Sequence, residues 1–596
     1  MRARSTGAPG AATLARMTAA GTQQRNGAET LAHGLERYRM LRRELESAIL
    51  PLATSLDGRR FTFQASLHGL ELRLGGYVVM EHGERRALGQ VLDLEMHTAP
   101  GAEISIPAGE DEDSRLTAGI TLRLARGSGA LLDGDETPFH DATLRPATPD
   151  EVGAWLRRRP SGRAVLEVGE LVRAPGIPSG LDAGGFNRHT FLCGQSGSGK
   201  TYSLGVVLEQ LLLHTSLRIV VLDPNSDFAR LDTAREGADA ALAERYRAAT
   251  STLAVHSART EGPERLRFRL EEIGPVAQAA LLRLDPIADR EEHAELSRLL
   301  AEGPATPEEM VRSDRPGARS LGLRARNLGV EGFSVWAREQ PGSTLDALQE
   351  PSARGVIVDL GSLSTPEEQA LASEAVLGHL WRQRETRRPV LIVIDEAHNV
   401  CPASPGDPVT ALATTHAIRI AAEGRKFGLY LLVSTQRPQK IHENVLTQCD
   451  NLLLMRLNSA ADTAFAQEAF SFVSPRLIGL ASSFRQGESL VAASSRRSPR
   501  CCASARASAR RAARTSPRPG LRAADGRRRR PARRRDRRGR ARRARRSPRG
   551  PRRARADGAG DARTGCRRDA AQARGRARSR RRRGACTRPR RDPRER

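Results

Sequence analysis

Residues 194–201 read Gly194-Gln195-Ser196-Gly197-Ser198-Gly199-Lys200-Thr201. They match G-x-x-x-x-G-K-[ST], a loop whose chemistry is the holding of a nucleoside triphosphate. A triphosphate packs several negative charges into a small volume. Glycines at 194, 197 and 199 let the backbone turn so that successive N–H groups point inward at phosphate oxygens. Lys200 reaches the β- and γ-phosphates as a point charge, and Thr201 offers a hydroxyl to Mg²⁺. All eight residues are candidate contacts for ATP, through backbone or side chain.

A second centre is Val390-Leu391-Ile392-Val393-Ile394 followed by Asp395-Glu396-Ala397-His398. Asp395 would hold Mg²⁺ through water, and Glu396 would orient and deprotonate the attacking water. Many strands end in acids, so this pair is weak evidence alone. Beside a phosphate loop it becomes specific. Gln436, in Ser434-Thr435-Gln436-Arg437-Pro438, ends another apolar run and is placed to touch the γ-phosphate or the lytic water. Arg425, in Glu423-Gly424-Arg425-Lys426-Phe427-Gly428, would stabilise charge on the transferring phosphoryl group. Taken without the other motifs, Arg425 and Lys426 read as a solvated basic turn. His398 reads as a satisfied surface histidine.

The elements that must position these residues are legible in the pattern. His189–Cys193 is a short, mostly apolar strand, and Leu204, Val207, Leu208, Leu211 and Leu212 follow at helical spacing. Strand, glycine loop, helix is the arrangement in which the helix N-terminus completes an anion site. Further strands are expected at Leu217–Leu222, Gly355–Leu360 and Leu429–Val433, with a last one at Leu452–Leu457. Asp223 to Asp227 ends one of them, where α/β sheets bind ligands. An Asx turn explains Asn225 to Asp227 at least as well. Residues from about 235 to 350 have helical periodicity and read as an insertion, and 366–384 as an amphipathic helix. Thr-Pro-x-Glu signatures at Thr148, Thr306 and Thr365 mark helix starts.

Ahead of this core, 57–150 looks β-rich. Phe61, Phe63 and Ala65, then Leu70, Leu72 and Leu74, then Ile120, Leu122 and Leu124, alternate with polar residues. Gly75-Gly76 and His82-Gly83 read as turns. A small barrel is expected, with an acidic loop at 101–115. Residues 171–187, with Pro175 and Pro178, read as a linker, and 1–56 as a disordered or helical extension in which Met17 is an alternative start.

The whole 596-residue chain has a net charge of +28, which points to nucleic acid until it is divided. Residues 496–596 hold 42 arginines, no lysine and 7 acidic residues, so the tail carries +35 and 1–495 carries −7. The body is mildly acidic, and any nucleic-acid contact there must be a local patch. The tail has no Ile, Val, Met, Phe, Tyr or Trp and one Leu, so disorder is expected. Three origins compete: a polybasic arm that binds phosphate by counterion release, an inert extension, and a frameshift in a GC-rich gene. The abrupt change of composition favours the frameshift. Seven cysteines without C-x-x-C spacing argue against zinc or a disulfide frame. With no apolar run near the ~18 residues that span a bilayer, a cytoplasmic protein is expected.

Taken together, R-H-T-F-L-C-G-Q-S-G-S-G-K-T, V-V-L-D-P-N-S-D-F, V-L-I-V-I-D-E-A-H-N, E-G-R-K-F-G and S-T-Q-R-P resemble the HerA-type ATPases, relatives of the FtsK and conjugation-pump translocases. G-R-R-F-T-F-Q, G-G-Y-V-V-M-E and L-G-Q-V resemble that family's N-terminal barrel. The likeness covers about 57–490. It implies an α/β, RecA-like P-loop core over 151–495 and a homohexameric ring. It also implies ATP-driven movement of double-stranded DNA, with a NurA-type nuclease as partner in DNA end processing. By position it makes Asp395 and Glu396 the Walker B acids, Gln436 the sensor and Arg425 a catalytic arginine. Arg188 matches an arginine that acts on a neighbouring subunit's nucleotide. Two other classes remain open: a ring ATPase for conjugation or secretion, and a basic nucleic-acid-binding protein with a decayed ATPase.

Overall fold

The computed structural model describes residue 29, residues 32–493 and residues 500–504, apart from 50, 68, 108–114, 134–135, 159–163, 236, 303–306 and 339–341. The expected cap at Thr306 and most of the expected disordered tail lie outside the described residues. No helix among the described residues is long and apolar enough to cross a membrane.

A first sheet is built from β1 (Leu52–Ser55), β2 (Arg60–Ser66), β3 (Tyr77–His82), β4 (Arg85–Pro107), β5 (Arg115–Leu131) and β6 (Phe139–Pro146). They pair in the cycle β1-β2-β5-β4-β3-β6 and back to β1, closing a barrel. The alternation of β2 puts Phe61, Phe63 and Ala65 inside, with Val78, Met80 and Val91. Several readings of this region change. The first barrel strand starts at Leu52, earlier than the alternation marks. Residues 69–76 are not a strand; Leu72 is instead a buried plug of the barrel core. Residues 101–107 of the expected acidic loop are strand, because β4 runs on to Pro107 and pairs with β5 at Ile104↔Ala118 and Pro107↔Arg115; 108–114 lie outside the described residues. A helix over 32–48 lies against β5: Tyr38 Oη donates to the Gly119 carbonyl, and Glu46 accepts from Arg123 N.

The second sheet holds β7 (Val165–Leu171), β8 (Ala174–Asp182), β9 (His189–Cys193), β10 (Arg218–Asp223), β11 (Leu253–Ser257), β12 (Gly355–Asp359), β13 (Val390–Ile394), β14 (Leu429–Thr435), β15 (Cys449–Leu454), β16 (Glu488–Ala493) and β17 (Arg500–Ser504). Their order is β11-β12-β10-β13-β14-β9-β15-β16-β17-β7-β8. The first seven are parallel. Buried on both faces, they read as continuous apolar runs. Alternate residues enter opposite cores. Val220 and Ile392 pack with Leu371, Ala375 and Ala417, while Val221, Leu391 and Val393 pack with Leu204, Leu208 and Leu211. Helix Pro366–Arg382 is therefore buried through most of its middle rather than two-sided.

Four further expectations are corrected here. The stretch read as a linker contains β8, which tolerates Pro175 and Pro178 because it is the outermost strand. The helical stretch 235–350 contains β11, the other outermost strand, whose five residues are too few to show a period. β15 is not the last strand, since β16 pairs with it antiparallel. The tail is not wholly without structure: β17 pairs with β16 and, at Ala503 and Ser504, with β7. Ladder bonds use backbone groups, so an arginine-rich composition does not prevent a short segment from pairing.

Candidate nucleotide site

The register aligns the carboxyl ends of the central strands. Asp223 lies opposite Asp359, Leu222 opposite Ile394, Ile394 opposite Val433, and Thr435 opposite Cys193. The phosphate loop, Asp395, Ser434 and Gln436 thus emerge together. The loop is held on several sides. Gly194 N donates to the Thr435 carbonyl, Gln195 N to the Arg456 carbonyl, and Gly487 N to the Ser198 carbonyl at 2.8 Å. A Cβ at Gly194 would meet Ser198 Oγ at 2.6 Å, and Gly199 has φ +93, so both positions require glycine. Helix Lys200–His214 starts at Gly199 without a side-chain cap, which leaves its first N–H groups for a ligand.

Lys200 Nζ lies 2.8 Å from Asp395 Oδ1, 3.0 Å from Glu396 Oε1 and 3.2 Å from Ser434 Oγ. Burial alone would lower its pKa; the two carboxylates outweigh burial and hold it above the usual lysine value. Glu396 sits at φ +40, a strained conformation for a non-glycine residue. Its carboxylate accepts from the Gln436 side-chain amide at 2.6 Å and from Gln436 N at 3.3 Å. Asp395 Oδ2 is buried with no hydrogen-bond partner, and so is Ser198 Oγ. A buried, unpartnered carboxylate oxygen at the phosphate loop suits a hard cation that keeps part of its water shell. The donors present fit Mg²⁺, with Thr201 and Asp395 as the residues that would hold it.

Sequence reasoning missed several neighbours. His398 is not a surface histidine: Nδ1 is 3.1 Å from Thr435 Oγ1 and 3.3 Å from Glu396 Oε2. Burial lowers its pKa, although Glu396 acts the other way. Ser434 lies in the motif of Gln436 but was given no role, although it accepts from Lys200 Nζ. Arg456 Nη2 donates to the Gly197 carbonyl, and Asn458 N to Gln195 Oε1. No motif marked either one. The Asx turn after β10 is present. Buried Asp223 accepts from the N–H groups of Asn225, Asp227 and Phe228, and burial pushes its pKa up to about 6.

Arg188 and Arg425 are brought together, but not to Lys200. Each Nη1 lies 2.7 Å from Asp450 Oδ2, at the amino ends of β9 and β15. Strand β9 has five residues, which at ~3.3 Å each puts them roughly 16 Å from the loop. Burial would raise the Asp450 pKa; the two arginines outweigh it and hold it below the usual carboxylate value. Within this chain both arginines rest on Asp450 and not on the phosphate loop.

Part of the chain is similar to known proteins. Residues 166–310 match the family described as "Helicase HerA, central domain". The DNA double-strand break repair helicase HerA of Sulfurisphaera tokodaii is 31% identical over 147 residues, 22% of this chain and 28% of that protein. The HerA helicase of Pyrococcus furiosus is 22% identical over 377 residues, 55% of this chain and 67% of that protein. The match thus spans little more than a quarter of the first relative's length. Among solved structures, VirB4 of Thermoanaerobacter pseudethanolicus is 15% identical with a TM-score of 0.41, covering 58% of this chain and 98% of that one.

Proposed function

We propose that this relative of the HerA-type ATPases hydrolyses ATP with Mg²⁺ and uses the energy to move double-stranded DNA through a homohexameric ring. The observation that carries the reading is Lys200 held between Asp395 and Glu396, with Gln436 fixed on Glu396. Each residue then has a task. Lys200 exchanges its carboxylate partners for β- and γ-phosphate oxygens. Glu396, released from Lys200, takes a proton from the attacking water. The water oxygen bonds to the γ-phosphorus, and the bond to the β-phosphate oxygen breaks, giving ADP and phosphate. Gln436 keeps the Glu396 carboxylate turned toward that water. Thr201 and Asp395 would hold Mg²⁺, which would supply charge neutralisation on the phosphates.

Arg188 and Arg425 complete the site of the next copy in the ring, which couples hydrolysis in one subunit to the position of another. Double-stranded DNA, a NurA-type nuclease partner in end processing and a cytoplasmic setting belong to the same proposal. The DNA is supported by the likeness to proteins named as DNA double-strand break repair helicases; the nuclease and the setting are what the family resemblance and the sequence lead us to expect. The deciding experiment measures ATP hydrolysis with and without linear duplex DNA, together with the mass of the assembly. Stimulation by duplex and a sixfold mass are expected. Hydrolysis indifferent to DNA would instead favour a motor that moves another polymer, and a monomer would remove the shared site.

A further inference from the structure

One carboxylate at the mouth of the site has no part in the steps above. Asp227 Oδ2 lies 3.4 Å from Thr201 Oγ1. The turn that carries it is fixed at several points. Asp223 accepts from Asp227 N at 3.1 Å and Phe228 N at 2.7 Å. Ser226 takes φ +62, and its hydroxyl donates to Asp359 at 2.6 Å. Holding a serine there is unfavourable, and the surrounding bonds must offset it. The strained turn aims Asp227 at the first turn of the phosphate-loop helix. The buried, unpartnered Asp395 Oδ2 belongs to the same site.

We propose that Asp227 is a positioning residue for the divalent cation of Mg-ATP, acting through Thr201. A hydroxyl has one hydrogen and two lone pairs. When Asp227 accepts that hydrogen, the lone pairs of Thr201 Oγ1 are left for the cation on the other side. Outer carboxylates that orient a ligand in this way are worth ~10–100-fold in metal affinity. The inference rests on the Mg-ATP reading above.

The test titrates Mn²⁺ into the full chain with the non-hydrolysable analogue AMP-PNP and follows bound metal by electron paramagnetic resonance. Asp227→Asn should weaken Mn²⁺ binding ~10-fold or more, with analogue affinity in the absence of metal unchanged. Thr201→Val should weaken it too, and the double variant should lose no more than the worse single, because one contact is broken twice. Asp227 is exposed, and besides its backbone N–H it gives the turn a side-chain hydrogen bond with Asn225 that an asparagine can also make, so the variant should keep the melting temperature of the parent. Mn²⁺ affinity within twofold of the parent, or additive losses in the double variant, would overturn the role of Asp227. If the parent chain binds neither AMP-PNP nor Mn²⁺, both the role and the ATP reading fall. Binding that depends on Lys200 but ignores Asp227 sinks only the former.

Discussion

The two ends of the central sheet carry charge in opposite ways. At the carboxyl ends, one cation is shared by two anions: Lys200, Asp395 and Glu396 are 5%, 0% and 4% exposed. At the amino ends, one anion is shared by two cations, and the side chains of Arg188 and Arg425 are each 41% exposed. The first group is closed. Removing a member strands a buried charge, which typically costs ~3–5 kcal/mol. The second group is open. An exposed ion pair is worth ~1 kcal/mol or less, so the guanidiniums can leave Asp450 for a stronger anion at little cost. One end is built to keep its charges, the other to lend them.

The sharpest way to break this contrast is Lys200→Ala. Turnover should fall below detection, and thermal stability should fall as well, because Asp395 and Glu396 lose their shared cation. A variant as stable as the parent in a melting experiment would show that the closed group is not closed. Next in size, Arg188→Ala and Arg425→Ala should each lower turnover ~10³-fold while ATP affinity holds. Mixing either one with Lys200→Ala should restore part of the activity, since each variant brings the half that the other lacks. No restoration at any ratio would confine the arginines to a structural role in their own subunit.

A third measurement separates the two ends by pH. His189 is wholly buried beside the open group; its Nδ1 accepts from Leu431 N. Burial, and after it the charge of Arg425, lowers its pKa to about 4. The unfolded chain binds this proton at ~6.5, so its contribution is complete above that pH and is lost as pH falls toward 4. The contribution amounts to about 3 kcal/mol. Denaturant titrations should show His189→Gln losing correspondingly less stability than the parent between pH 6.5 and 4. Equal losses would mean that His189 protonates without cost. The smallest effect is expected for Asp450→Asn: a melting shift equivalent to ~1 kcal/mol or less, and a turnover change of a few-fold. A loss as large as that of Lys200→Ala would make the amino end as closed as the other.

Most of the carboxyl end was legible because its chemistry is local. The loop from Gly194 to Thr201 is one contiguous motif, and Asp395, Glu396 and Gln436 each follow an apolar run that announces a strand. The rest was hidden for identifiable reasons. Ser434 and Asp450 lie inside or beside strands with no periodic mark, and His398 is turned inward by a bend after Glu396. Leu70, Leu72 and Leu74 alternate as a strand would, yet only the tertiary contacts of the barrel show them to be a loop with one buried plug. Pro175 and Pro178 signal a break, but an outermost strand does not need their missing N–H groups.

What the amino-acid order determined alone was the parallel sheet, its phosphate loop and the acids opposite it, since each depends on short-range pattern and residue type. Strand order decided the remainder. By placing β9 between β14 and β15, the fold sets Lys200 against Glu396 at one end. The same placement sets Arg188 against Arg425 across Asp450 at the other. Residues 262 positions apart meet in a single ion pair there. No local period encodes that pairing; it exists because parallel strands carry every residue at their ends to the same edge.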